Sequence, residues 1–380
     1  MHVTHIVAFP PFRDGTGTVC YYNARALREL GCEVTVYAPR LALSADDERL
    51  DFYRFMPCWL AIGNAYLTPQ LLSIERTDLV HLHLPFIFGS ELVLGRILLT
   101  GLPLVVTYHS DLLSSELVRK FGFSAYNRSS MPFVLNRARR IVVTSIDYAF
   151  SSFYGSSIFQ RRRHELVEVP NGVDIDSFRP GIDTNSIKAR HSLQRDEAVL
   201  LFVSSLDPSH SRKGLDLLLG ALSHLHTHAL RLIVVGEGAM RPAYEEMSRQ
   251  MGLDGRVVFA GKVAQDELPA YYSASDMVVI PSRPPEAFGL ALAQGMAAAK
   301  PVIGSNIPGV RTVVKDSETG FLIEPGNIAA LAERIEQLAR DPELRGRMGC
   351  QGRMRMVQGY TWRRSGERLL AVYQELLARG

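Results

Sequence analysis

Short apolar runs alternate along the chain with turn residues and with segments whose apolar positions recur every three to four residues. The first run, residues 3–9, leads through a glycine-bearing stretch into a helical pattern over 18–30 that stops at Gly31. Residues 32–38, 78–84, 102–108, 140–145 and 166–169 continue the runs. Strand-like runs separated by helical periods predict a parallel sheet covered by helices. The series then restarts. Residues 198–204, 231–235, 257–260, 277–281 and 301–304 read as buried strands, with helical patterns over 214–226, 240–251, 287–298 and 328–340. A turn-rich stretch, from Pro170-Asn171-Gly172 to Pro180-Gly181, separates the two series. The pattern predicts an α/β protein of two Rossmann-like domains, residues 1–175 and 176–358. A last helix over 362–378 follows a break at Gly359-Tyr360.

Composition agrees with this picture. A chain of 380 residues suits two domains of ~100–200 residues. Net charge is +3, too small for bulk nucleic-acid binding. Cys20, Cys32, Cys58 and Cys350 are scattered, which argues against a disulfide framework or zinc site and for a reducing cytoplasm. The N-terminal residues lack the basic-then-apolar pattern of a signal peptide, so none is expected. The most apolar stretch, 86–106, is broken by Glu91 and Arg96, and no spanning helix is expected.

In open α/β sheets, ligands bind beyond the carboxyl ends of the strands. After the first run comes Pro10-Pro11-Phe12-Arg13-Asp14-Gly15-Thr16-Gly17. Gly15 and Gly17 let backbone N–H groups approach an anion at a helix start. A plain turn accounts for them equally well, since Cys20 stands where a dinucleotide fingerprint has its third glycine. His109 closes the run 102–108, where it can exchange a hydrogen bond with a hydroxyl or serve as a satisfied core residue. Lys213, with Arg212 beside it, precedes a helix and can meet a diphosphate as a point charge, or simply face solvent.

The strongest local signal is Pro281-Ser282-Arg283-Pro284-Pro285-Glu286-Ala287-Phe288-Gly289-Leu290. A strand ends, prolines stiffen the turn, and a helix is expected from Glu286, with solvent near that carboxylate. Helix N–H groups there suit a diphosphate. Gln294 is the sole polar side chain between Ala287 and Ala299, so it needs a partner, and a ribose is suitable. Asp174-Ile175-Asp176 resembles a metal motif, but it follows a turn and reads as structural; no metal is expected.

Together these residues resemble the family-four retaining glycosyltransferases of the GT-B fold. The markers are the 10–17 loop, His109, Pro170-Asn171-Gly172-Val173-Asp174, Lys213-Gly214, Gly236-Glu237-Gly238, the 286–290 run and Glu318-Thr319-Gly320-Phe321-Leu322. The resemblance implies two Rossmann-like domains facing across a cleft, with segment 359–380 crossing back to the N-terminal domain. It implies a nucleoside diphosphate sugar as donor, held by the C-terminal domain, and no metal or other cofactor. Lys213 and the helix after Glu286 would contact the diphosphate. Glu286 would bind the transferred sugar, reached by His109, and Gly15 and Gly17 would approach the phosphate. Ser205, Arg212, Gly236, Val263, Ala287, Phe288, Gly289, Leu290 and Gln294 complete the implied donor site.

Two positions depart from the family. Ser204-Ser205-Leu206 lacks the usual strand-end arginine, for which Arg212 is the available substitute. The second glutamate, eight positions beyond Glu286, is Gln294. The implied reaction is hexosyl transfer to an acceptor hydroxyl, in bacterial glycan, glycolipid or natural-product synthesis. A nucleotide-sugar-binding protein with lost or altered catalysis, a dinucleotide oxidoreductase, and a hydrolysing or epimerising GT-B relative are the rival readings. The sequence leaves the acceptor open, with a lipid-linked acceptor and a small molecule as the candidates. Arg119, Lys120, Arg128, Arg137, Arg139 and Arg140, with Phe121, Phe123, Tyr126 and Phe133 among them and Arg161, Arg162 and Arg163 beyond, suit a solvated basic face, a cradle for a soluble anionic acceptor, or a peripheral membrane contact. Pro132 interrupts any long amphipathic helix there.

Overall fold

The computed structural model describes residues 1–41, 50–112, 117–225 and 229–378, and of residues 117–121 the backbone alone. Two compact units are present: Met1–Gly172 with Trp362–Gly380, and Val173–Thr361.

The first unit carries β1 (His2–Ile6), β2 (Glu33–Pro39), β3 (Tyr53–Met56), β4 (Leu60–Ile62), β5 (Ala65–Leu67), β6 (Leu79–Leu84), β7 (Leu104–Tyr108), β8 (Arg140–Val143) and β9 (Leu166–Glu168). Seven of them form one parallel sheet in the order β3-β2-β1-β6-β7-β8-β9, and β4 with β5 makes a separate antiparallel pair. The order reverses between β1 and β6, the place where such sheets open a crevice for ligands.

One face of this sheet is covered by the helix Gly15–Glu29 and by the last helix, Trp362–Ala378. Cys20, Ala24 and Leu27 of the first and Leu369, Val372 and Tyr373 of the last share a core with Val3, Val7, Leu79 and Val105. The last helix buries Ser365, Gly366, Leu369, Val372 and Tyr373, a spacing that sets one stripe against the sheet. Gly366 rests on Ala26, and Trp362 stacks on Tyr22 at 4.7 Å between ring centres. Burial of Leu369 and Val372 contributes ~1.5–3 kcal/mol each.

The second unit carries β10 (Ala198–Val203), β11 (Leu230–Val235), β12 (Val257–Gly261), β13 (Met277–Ile280), β14 (Val302–Ser305) and β15 (Gly320–Ile323). All are parallel, in the order β12-β11-β10-β13-β14-β15, with the reversal between β10 and β13. The runs Leu200-Leu201-Phe202 and Val278-Val279-Ile280 are buried, as strands covered on both faces require.

Boundaries differ from the sequence expectation at informative places. The first helix starts at Gly15 rather than at residue 18, because Asp14 caps it. The helix after β13 starts at Leu290 and not at Glu286, because Gly289 takes a left-handed conformation at its start. Strands β3 and β15 and the helices Gly89–Thr100 and Pro342–Gly359 are additional elements. No helix among the described residues is long and apolar enough to cross a membrane.

Candidate active site

In the second unit, the segment after β13 and the segment after β10 meet beyond the strand ends. The Glu286 carboxylate receives Lys213 Nζ at 2.5 Å and Ser282 Oγ at 3.4 Å. The Lys213 and Glu286 side chains are only 18% and 10% exposed. Glu286 therefore meets solvent only at its edge, and it sits upstream of the helix, not at its start. Gly214 makes this approach possible: its φ is +79°, and a β-carbon there would overlap the Pro281 carbonyl. Arg212 Nε donates to Pro285 O at 2.9 Å, and Arg212 Nη1 to Ser209 O at 2.8 Å. Arg283 donates two bonds to Asp216, at 2.9 and 2.6 Å. The two segments are thus tied by backbone, by guanidinium and by the ion pair.

Burial by itself would raise the Glu286 carboxyl. The Lys213 ammonium, its hydrogen bond, the nearby Arg212 charge and the Gly289 N–H outweigh burial and hold it below the usual value. His210, half-buried beside them, is pulled down by burial and by the Arg212 and Lys213 charges, against Asp207 and Glu286. No periodic or motif signal marks His210 in the sequence.

The other expected donor residues fall into different settings. Gln294 Oε1 accepts from the hydroxyl of buried Tyr272 at 2.8 Å, so the partner this polar group needed is found within the unit. Ser205 Oγ donates to Asp207 at 2.8 Å, and Asp207 also accepts from Ala239 N at 3.2 Å. Gly236 lies against the Ser204 carbonyl. Phe288 is core, 3% exposed, and Val263 and Leu290 pack half-buried on the same core. Ala287 and Gly289 lie on the loop that leads into the helix.

In the first unit, Asp14 Oδ1 accepts from Gly17 N at 2.7 Å. Burial pushes the Asp14 carboxyl up to about 6, against the pull of its Gly17 and Thr16 hydrogen bonds. Gly15 has open space beside it, whereas a β-carbon at Gly17 would overlap the Pro10 carbonyl. Past β7, the Tyr108 hydroxyl donates to Asp111, whose carboxylate also receives Phe153 N at 3.2 Å. His109, 8% exposed, donates its backbone N–H to Leu84 O at 3.1 Å. Its ring contacts His83, with Nε2 at 2.9 Å from His83 Nδ1. Burial takes the His109 imidazole down to about 4. Behind it lie His83, His5 and His81, all fully buried. Polar residues at alternate positions of strands otherwise apolar, His81 with His83 and Thr107 with His109, were the signal that could have revealed this cluster.

Asp174 uses its carboxylate locally, accepting from Asp176 N at 3.1 Å, Ser177 N at 3.0 Å and Ser177 Oγ at 2.7 Å. In the basic region, the side chains of Arg119, Lys120 and Phe121 lie outside the described residues. Tyr126 is buried, 2.8 Å from Ser90 Oγ. Arg162 is not a surface charge: it donates to the carbonyls of Leu135 and Ala138 and to Glu165. Arg140 pairs with Glu375 at 2.9 Å. Arg139 and Phe133 are exposed.

Residues 13–177 match the family described as Glycosyltransferase Family 4, and residues 183–355 match Glycosyl transferases group 1. A D-inositol 3-phosphate glycosyltransferase of Frankia alni is 33% identical over 55% of this chain and 53% of its own length. The chain spans about half the length of the curated relatives it matches. Sucrose-phosphate synthase from Thermosynechococcus elongatus superposes with a TM-score of 0.80 at 23% identity, over 100% of both chains. Anabaena HepE in complex with UDP-glucose superposes at 0.79 and 19% identity, over 99% of this chain and 100% of that one.

Proposed function

The chain is a family-four glycosyltransferase of the GT-B fold, and from that premise we propose that it moves a hexosyl group from a nucleoside diphosphate sugar to an acceptor hydroxyl with retention at the anomeric carbon. The observation that carries the reading is the Lys213–Glu286 pair at the reversal point of the second sheet. An ionised carboxylate accepts hydrogen bonds from hydroxyls, and an ammonium beside it meets a diphosphate. The N–H groups at the start of the helix Leu290–Ala297 add positive potential for the same anion. The nucleotide sugar bound by HepE supports a donor of this class.

In the reaction, the bond from the anomeric carbon to the diphosphate oxygen breaks. The acceptor oxygen bonds to the same face of that carbon, and the departing phosphate oxygen takes the acceptor proton. Lys213 and Arg212 stabilise the charge that develops on the leaving group, Glu286 orients the sugar, and His109 offers a neutral ring nitrogen to a reactant hydroxyl. Lys213 and the helix N–H groups take the place a divalent cation has elsewhere, so the transfer needs no metal. The acceptor is anionic or presented at an anionic surface, a reading supported by exposed Arg139 and Phe133 on the first unit.

A thermal-shift panel of nucleotides and nucleotide sugars identifies the donor, and NMR of the product made from it reads the anomer. Binding with transfer and a retained anomer is expected. An inverted anomer overturns the mechanism, and binding without transfer with any acceptor leaves a nucleotide-sugar-binding protein.

A further inference from the structure

The rings behind His109 form one continuous chain. His109 Nε2 is 2.9 Å from His83 Nδ1, His83 Nε2 is 3.0 Å from His5 Nδ1, and His5 Nε2 is 3.4 Å from the Tyr373 hydroxyl. That hydroxyl is 2.5 Å from His81 Nδ1, and His81 Nε2 is 2.6 Å from Thr107 Oγ1. Strand register explains the alignment. His5 pairs with His81 and His83 with Thr107, and the period of two keeps all of them on one face. That face is otherwise apolar, and the last helix covers it and delivers Tyr373.

Burial drives all four imidazoles to the neutral form. A neutral imidazole has one N–H and one lone pair. The donor direction at one link therefore fixes the direction at every other link on the same side of Tyr373. Tyr373 sets it. A phenol has a single proton, and O–H donors sit closer to their acceptors than N–H donors do. The proton goes to His81 Nδ1, the nearer neighbour, and the phenol oxygen accepts from His5 Nε2. His81 Nε2 then donates to Thr107, His83 Nε2 donates to His5 Nδ1, and His109 Nε2 donates to His83 Nδ1.

We propose that His83, held by His5, Tyr373 and His81, is a positioning residue that fixes His109 in its Nε2–H form, so that His109 presents Nδ1 purely as an acceptor and selects a reactant bearing an O–H there. The selection rests on the glycosyl-transfer reading above; the tautomer does not. A fluorine or ether oxygen at that place has no proton to give, and such an analogue is disfavoured. His5, His81 and His83 bring ring nitrogens within 4.8 Å of one another, a spacing that a cation could bridge. Each ring instead has its nitrogens taken up by partners inside the chain.

Histidine-selective 15N labelling reads the tautomer of each ring, and His109→Gln assigns the His109 signals. The native protein is expected to show His109 protonated on Nε2 and bare on Nδ1, unchanged from pH 6 to pH 8. Tyr373→Phe keeps the aromatic ring in the core and removes the hydroxyl. It should turn His109 into a mixture of tautomers and lower kcat/KM at least tenfold, with a melting transition shifted downward but still cooperative. His83→Gln supplies an amide oxygen for the His109 proton and should keep both tautomer and most of the rate, whereas His83→Phe should lose both. A native His109 protonated on Nδ1, a pure tautomer in Tyr373→Phe, or one equivalent of zinc in the purified protein overturns the proposal. Absence of transfer with the Nε2–H form intact rejects the functional reading and leaves the positioning chain standing.

Discussion

Both units reverse their strand order beside a polar cluster, but the clusters are built on opposite principles. In the first unit, neutral imidazoles run through the core behind His109, and each is satisfied by its neighbour. In the second, an ammonium and a carboxylate meet beyond the strand ends, on loops tied by Arg212 and Arg283. Depth decides which chemistry each place tolerates. A neutral ring needs only hydrogen bonds to stay buried, whereas an ion must be paired or remain near the rim. The first cluster therefore orients, and the second holds charge.

The comparison breaks most visibly under acid. The histidine pKa values are lowered in the folded unit, to about 3 for His5 and about 4 for His109. The unfolded chain binds protons from about pH 6.5 downward while the folded chain does not, so stability is full above that value and falls as pH drops toward 4. Each ring contributes up to ~1.4 kcal/mol per pH unit. Thermal melts from pH 8 to pH 4.5 should show this loss, and a curve flat across that range would refute neutral burial.

The charged cluster should respond to loss of either partner. Glu286→Ala leaves Lys213 mostly buried and unpaired, a cost toward the lower end of ~3–5 kcal/mol. It should also abolish most turnover. The double variant Lys213→Met with Glu286→Leu should be less destabilised than the two single changes summed, and additivity would mean the pair is solvated. Lys213→Ala should weaken binding of the nucleoside diphosphate more than that of the nucleoside.

A smaller effect is expected at Gly214→Ala. The left-handed backbone costs ~1–2 kcal/mol, and the overlap with the Pro281 carbonyl displaces Lys213. Donor affinity should fall with stability; unchanged affinity would show that Lys213 has no fixed place. Gln294→Leu strands the Tyr272 hydroxyl and should cost ~1–3 kcal/mol in unfolding free energy, while Gln294→Glu keeps an acceptor and should be tolerated. An effect on donor binding alone would return Gln294 to the ribose. A chelator should change nothing. Activity lost to it and restored by magnesium would assign the diphosphate to a cation.

Much of the fold was legible because parallel strands buried on both faces are written as unbroken apolar runs, as in Leu200-Leu201-Phe202. What escaped notice had weaker grammar. Strand β3 is four residues long and carries Arg54, and β15 was read only as a marker. Pro342–Gly359 holds glycines that mask its period, though Gly349 and Gly352 are there for close packing on Ala299 and Met296. The apolar run after Glu286 looked helical throughout, yet Gly289 delays the helix to Leu290. Lys213 and Glu286 were readable as residues but not as partners, since 73 positions separate them. The histidines were visible as alternate polar positions on apolar strands, but their links were not, since they join strands through register, which no local window contains.

The last helix has a meaning in time as well as in space. Leu369, Val372 and Tyr373 close the core of the first unit, yet the ribosome delivers them only after all of Val173–Thr361. The second unit has its whole sequence in hand while the first still lacks a wall. A nascent chain therefore carries β1 and β6 with one apolar face covered only by the helix Gly15–Glu29 for the full time the second unit takes to be made. Over that interval His81 has no phenol to lean on, and the orientation of His109 waits on a residue made after the whole second unit.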